Sequence, residues 1–114
     1  MIEILQSKIH GATITKADLY YEGSISISRE YLELTGMKPY QKVLVADVNN
    51  GNRFETYIIL AENPGEIIVN GSAARLVHPG DKCIIMAFEY MDIVPSNYEP
   101  KILILGENNE VVTS

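Results

Sequence analysis

Ser24 directly follows Gly23, and a hydroxyl in that position can add to the carbonyl before it. Addition of Ser24 Oγ to the Gly23 carbonyl turns the peptide into an ester. Elimination of the Gly23 carboxylate then leaves dehydroalanine, and hydrolysis of that with loss of ammonia leaves a pyruvoyl group. The product is a ketone heading a new chain 24–114, released from a chain 1–23. Glycine suits the scissile position because it has no Cβ in the path of attack and tolerates strained backbone angles. Taken alone the dipeptide is also an ordinary turn. A second set of polar residues lies downstream. Along a strand, Arg53, Glu55, Tyr57 and Ile59 share one face while Phe54, Thr56, Ile58 and Leu60 share the other, which puts a guanidinium and a phenol on the same side. The planar fork of Arg53 matches a carboxylate. Lys8 adds a second cation and His10 an imidazole near the N-terminus. On residue type alone, Lys8 and Arg53 also read as solvated surface cations and Tyr57 as a cross-strand aromatic.

These groups need elements to hold them. Ile2 to Ile9 reads as a short strand that leaves Lys8 near its end, and Ala12 to Thr15 reads as a second β-rich stretch. Ile25 and Ile27 alternate with Ser24, Ser26 and Ser28, so Ser24 opens a strand with one apolar face. Ser28 is placed to cap a short helix through Leu34, with Gly36 as its C-terminal stop. Lys42 to Val48 and Arg53 to Leu60 make two strands joined by the Asn49-Asn50-Gly51-Asn52 hairpin signal. Ile67 to Val69 forms a further strand that ends at the sharp turn Asn70-Gly71. The small residues Ser72, Ala73 and Ala74 follow, leaving room for a close approach to the backbone, and a short helix through Arg75-Leu76 fits there. Lys82 to Phe88 reads as a strand buried on both faces, Tyr90 to Pro100 as a surface loop, and Lys101 to Leu105 with Val111-Val112 as a terminal hairpin or an unpaired tail. Many short strands with one or two short helices predict a closed or nearly closed β structure.

Composition narrows the class. The 114 residues suit one domain, and 46% hydrophobic with 21% charged residues fits an ordinary globular core. A net charge of −6 with scattered Lys and Arg argues against nucleic acid as partner. The single cysteine, Cys83, excludes an intrachain disulfide and a Cys-rich metal site and fits a reducing compartment. No leader-like N-terminus and no long apolar run stands out, so the expectation is a cytoplasmic protein with no membrane contact. No Gly-rich phosphate loop follows a strand, so neither a bound metal nor a dissociable cofactor is expected.

Four blocks in order carry a resemblance: Lys8-Ile9-His10; Ala17 through Ile27 with the Gly23-Ser24 junction; Val48 through Tyr57; and Val69 through Arg75. From about Ile4 to Ala87 the chain resembles the pyruvoyl-dependent aspartate decarboxylase family. The resemblance implies a mainly β fold, the double-psi β-barrel with one or two short helices, assembled as a homotetramer with sites between neighbouring subunits. It implies a pyruvoyl group made from Ser24 as the covalent cofactor, which forms a Schiff base with L-aspartate on the way to β-alanine and carbon dioxide. Tyr57 matches the family's proton donor, and Gly23, Ser24 and Thr56 its processing residues. Lys8, Arg53, Thr56, Asn70, Gly71, Ser72 and Ala73 match its substrate-binding positions, with His10 and Tyr21 as further candidates. A maturation helper protein is compatible with it. Two positions depart from the pattern. Gly11 stands where an arginine is usual, with an expected effect on processing; Ser72 stands where an alanine is usual, with an expected effect on the pocket wall. A small unprocessed β-barrel binding module, or a pyruvoyl decarboxylase of another amino acid, stays open beside this reading.

Overall fold

The computed structural model describes residues 1–113. Its strands are β1 (Ile2–Thr13), β2 (Lys16–Asp18), β3 (Ser24–Ile27), β4 (Lys42–Asp47), β5 (Arg53–Leu60), β6 (Ile67–Asn70), β7 (Lys82–Met91), β8 (Lys101–Leu105) and β9 (Val111–Thr113). One α-helix, α1 (Arg29–Thr35), follows β3, and a 3₁₀ helix at Gly71–Leu76 follows β6. The strands form one sheet in the order β2-β6-β3-β5-β4-β7-β1-β8-β9. Three pairs are parallel (β1 with β8, β2 with β6, β3 with β5) and the other five antiparallel, a mainly β architecture consistent with the expected double-psi β-barrel.

The two N-terminal β stretches are one long strand. A bulge against β7 between His10 and Ala12 absorbs Gly11 at φ +77°, where an added Cβ would sit 2.9 Å from the Leu105 carbonyl oxygen. Glycine therefore lets β1 continue past a point where the pattern breaks, and Lys8 lies inside the strand rather than near its end. Gly11 lies on β1, four strand spacings from β3, and meets β8 rather than the Gly23-Ser24 bond.

The core is aliphatic. Ile9, Ile14, Ile25, Ile27, Ile58, Ile67 and Ile85 are fully buried, and Tyr31 of α1 joins them with its hydroxyl donating to the Asn109 carbonyl at 2.6 Å. Period-two alternation produces this interior, because every second residue of β4, β5 and β7 faces inward. It also corrects the expectation for β7: Cys83, Ile85 and Ala87 are buried, whereas Ile84, Met86 and Phe88 on the other face are only half-buried, and the strand runs on to Met91. Gly36 ends α1 in the left-handed region at φ +80°, its N–H donating to the Leu32 carbonyl. Ser28 holds the N-cap position without capping. Its hydroxyl donates to the Asn63 carbonyl at 2.8 Å and accepts from the Glu66 N–H at 2.8 Å, which ties the start of α1 to the turn before β6. The C-terminal hairpin forms, with β8 and β9 antiparallel.

Candidate active site

Ser24 opens β3 and is 1% exposed. It pairs with Asn70 at the end of β6. That pairing puts both side chains on one face, and Asn70 Nδ2 donates to Ser24 Oγ and to Ser26 Oγ, each at 3.0 Å. The Ser24 hydroxyl donates in turn to the Glu22 carbonyl at 3.3 Å. An amide and a backbone carbonyl are thus its partners; among the described residues no carboxylate, imidazole or amine hydrogen-bonds to it. Ser26 was missed from the sequence, although its place two residues along the same strand face predicts it.

Gly71 closes the other side of the junction. Its φ is +75°, and a Cβ there would lie 2.6 Å from Gly23 Cα, 2.8 Å from Gly23 N and 3.3 Å from the Tyr21 carbonyl oxygen. Only glycine fits such a position, by conformation and by space. The Gly23-Ser24 bond therefore lies between a backbone that touches it and an amide that holds its hydroxyl, a cradle that fits a group made from Ser24. Gly23 itself is outside the left-handed region, and a Cβ there would meet nothing within 4 Å. Its expected backbone strain is not present; the close approach is made by Gly71 instead.

β5 lies beside β3 in parallel register, Ile25 against Ile58 and Ser26 against Ile59. One residue upstream on each strand stand Ser24 and Tyr57, so the two residues hold facing positions of the register on the side away from the core. Thr56 points inward like Phe54, as the alternation requires, and makes no hydrogen bond to Ser24 among those of the described residues. Tyr57 stacks on Tyr40, with ring centroids 6.3 Å apart and planes at 23°. A cavity of about 330 Å³ opens beside Ser26 and Asn70, walled also by Lys16, Asp18, Tyr21 and Ile59. Tyr21 is half exposed at this wall rather than in the core. Ser72 is exposed and Ala73 half-buried on the 3₁₀ helix that follows. A larger cleft, about 660 Å³, lies at the start of α1 against Leu60 to Pro64 and contains none of the expected site residues.

The cations lie elsewhere in the chain. Arg53 is four residues before Tyr57 on the same face of β5, roughly 13 Å away at the usual rise per residue. Across the sheet, His10 pairs with Ile84, Ile84 with Ala46 and Ala46 with Arg53; the next outward row runs Lys8, Met86, Leu44, Glu55. Lys8 thus stands four strand spacings from β3, roughly 19 Å along the sheet. Neither cation has a carboxylate partner among the described residues, whereas Lys42 pairs with Glu55 at 3.3 Å. Lys8 and Arg53 therefore stand away from Ser24 along the sheet, at register positions that do not adjoin it within one chain.

Other titratable groups are accounted for by burial. Cys83 is fully buried, and that burial, with the nearby Asp47 and Asp81 charges, pushes its thiol up to about 12, which removes it as a nucleophile. Asp47 is buried at the mouth of the β4–β5 hairpin. Its Oδ1 accepts from the Asn49 N–H at 2.9 Å and the Asn50 N–H at 3.3 Å, while its Oδ2 has no partner. Desolvation and the neighbouring Asp81 carboxylate raise its pKa, and the hydrogen bond between the two lowers that of Asp81. A proton on Asp47 would give the orphan oxygen a hydrogen to donate towards Asp81. Among the described residues no cluster of metal ligands occurs, and no helix is long and apolar enough to cross a membrane.

Comparison with known proteins agrees with the geometry. The family model for aspartate decarboxylase matches residues 1–112. The chain is 54% identical over 111 residues to the aspartate 1-decarboxylase of Thermosipho africanus, covering 96% of this chain and 91% of that one. It is 51% identical over 110 residues to the aspartate 1-decarboxylase of Chlorobium chlorochromatii, covering 95% and 85%. It is 45% identical over 112 residues to that of Leptospira biflexa, covering 96% and 95%. Matched along nearly its whole length, the chain belongs to the aspartate decarboxylase family.

Proposed function

We propose that this chain is a self-processing aspartate 1-decarboxylase, which cleaves itself between Gly23 and Ser24 and converts L-aspartate to β-alanine and carbon dioxide, supplying β-alanine for pantothenate and coenzyme A. The observation that carries the reading is the junction itself: a buried Ser24 hydroxyl held by Asn70, with Gly71 packed against Gly23. Ser24 Oγ adds to the Gly23 carbonyl, and the amide N–C bond breaks to give the ester. The Gly23 carboxylate leaves with the Cα proton of residue 24, and water replaces the amine nitrogen, which departs as ammonia. The pyruvoyl group so formed supplies an electron sink for a substrate α-carbon.

The chain's own residues supply the rest. Tyr57, beside residue 24, delivers a proton to the carbon that has lost carbon dioxide. Asn70 Nδ2 and the backbone at Gly71 and Ser72 border the same spot and are placed to bind substrate oxygens. Lys8 and Arg53 bind the substrate carboxylates, and their distance from Ser24 within one chain supports a site completed by a neighbouring copy in a homotetramer, in the cytoplasm. The exposed Ser72 hydroxyl is the feature that favours another amino acid; the names of the relatives favour aspartate. The test is intact-mass analysis joined to an assay for β-alanine. Two chains, 1–23 and a pyruvoyl-headed 24–114, with β-alanine formed from L-aspartate, are expected for the wild type, and neither for Ser24→Ala. An intact wild-type chain that forms β-alanine, or a cleaved Ser24→Ala, would refute it.

A further inference from the structure

Lys38-Pro39-Tyr40-Gln41 is a tight turn closed by the Gln41 N–H donating to the Lys38 carbonyl at 3.1 Å. Proline precedes the third position, and Tyr40 occupies that position at φ +70°. A turn of this shape asks for glycine or asparagine there, since a residue with a bulky side chain is strained at positive φ. The strain is held in place from two directions. The Gln41 side chain accepts from the Lys38 N–H at 3.0 Å, and the turn is clamped to β5 by the Tyr40 N–H donating to the Ile58 carbonyl at 2.7 Å and the Ile58 N–H donating to the Gln41 carbonyl at 3.0 Å.

No core is served by this arrangement, because Tyr40 is 80% exposed. Its aromatic contact among the described residues is the ring of Tyr57, the residue next to the clamped Ile58. The separation and near-parallel planes lie in the range of favourable offset stacking. Tyr57 is itself 37% exposed, and the Tyr40 ring covers part of it. A local rule broken in a rigidly hydrogen-bonded turn, with the offending side chain laid against the phenol beside Ser24, is the pattern expected where strain serves a site.

We propose that Tyr40 is a positioning residue that fixes the Tyr57 ring for proton delivery. The inference rests on the reading of Tyr57 as the proton donor. Tyr40→Asn removes the ring while leaving a residue that accepts positive φ, so the turn should keep its shape and the melting temperature should not fall. Turnover should drop by roughly 10-fold through kcat, with KM for aspartate and the extent of cleavage unchanged, because misplacement of a reacting group costs rate rather than binding. Tyr40→Phe keeps the stack and should restore kcat. The same Tyr40→Asn change made in Tyr57→Phe protein should cost nothing further, since there is no phenol left to position. A kcat for Tyr40→Asn within twofold of wild type overturns the proposal, as does an equal loss in the Tyr57→Phe background. Near-normal turnover by Tyr57→Phe alone would instead remove the donor reading, and the positioning role with it.

Discussion

The neighbourhood of Ser24 and the neighbourhood of Arg53 are built in opposite ways. Around Ser24 the hydrogen-bonding groups are neutral and partnered within the chain: buried Asn70 holds the two buried serines, the backbone carbonyl of exposed Glu22 accepts from one of them, and Gly71 rests on Gly23. Around Arg53 and Lys8 the groups are charged and face outward from the sheet, with no counter-charge among the described residues. The first arrangement is finished before any substrate arrives, as an intramolecular acyl shift requires. The second is half of an arrangement, a pair of cations waiting for carboxylates. On the proposed function, the first region would make the reactive group and the second would bind the dianionic substrate, and the two stand at separate places along the sheet of one chain.

The largest effect should come from separating the two jobs at a single atom. Tyr57→Phe keeps the ring, its packing and its stack on Tyr40, so the fold should persist. Cleavage at Gly23-Ser24 needs no proton at a substrate carbon and should proceed as in the wild type. Turnover of aspartate should fall by roughly 10²- to 10⁴-fold, the usual worth of a positioned general acid. Parallel measurement of cleaved fraction and β-alanine release checks this; a parallel loss of both would erase the distinction between the two regions.

A smaller effect is expected at the link between them. The Asp47–Asn52 turn leads into Arg53, and its Asn50 and Asn52 side-chain amides each donate at 2.9 Å to the Leu76 carbonyl, at the far end of the 3₁₀ helix that starts with Gly71. Asp47, with its raised pKa, stabilises the fold as the acid: that contribution is present below its ordinary pKa and is lost as pH rises through the raised value. Asp81, with its lowered pKa, contributes above its ordinary value and loses that as pH falls through the lowered one. The pair is best satisfied by one proton, and alkaline solution leaves two carboxylates facing each other. Asp47→Asn keeps an oxygen for the Asn49 and Asn50 N–H groups and offers Asp81 a donor that does not titrate. Its melting temperature should match the wild type in mild acid and exceed it by roughly 2–4 °C above neutrality, a small gain because Asp81 is partly open to solvent. A melting temperature lowered equally at both pH values would mean that the pair shares no proton.

Much of the Ser24 region was legible because it is local. The Gly23-Ser24 junction, the alternation that starts β3, the Asn70-Gly71 turn and the opposite facing of Thr56 and Tyr57 all follow from residue type and a period of two. What was illegible came from contacts between distant segments. Nothing near Gly11 says that the Leu105 carbonyl lies against it, so one bulged strand read as two. Ser28 looked like a helix cap because the Asn63 and Glu66 partners that take its hydroxyl are 35 and 38 residues away. The face shared by Arg53 and Tyr57 was correct, but a shared face does not measure the distance along it. The positive φ of Tyr40 was invisible, since proline before a tyrosine at positive φ is an exception to turn chemistry rather than an instance of it.

The contrast between the two regions reduces to one claim, that Ser24 of one copy works with the cations of another. Co-expression of Ser24→Ala and Arg53→Ala chains carrying different tags, followed by isolation of mixed assemblies through both tags, tests it most directly. Each variant alone should be close to inactive: the first lacks the pyruvoyl group, and the second lacks the fork that binds a carboxylate. Mixed assemblies should recover β-alanine formation, because some sites then combine an intact residue 24 from one copy with an intact Arg53 from the other. Mixed assemblies that contain both chains, with the Arg53→Ala copy cleaved, and yet stay as inactive as either variant alone would contradict the account.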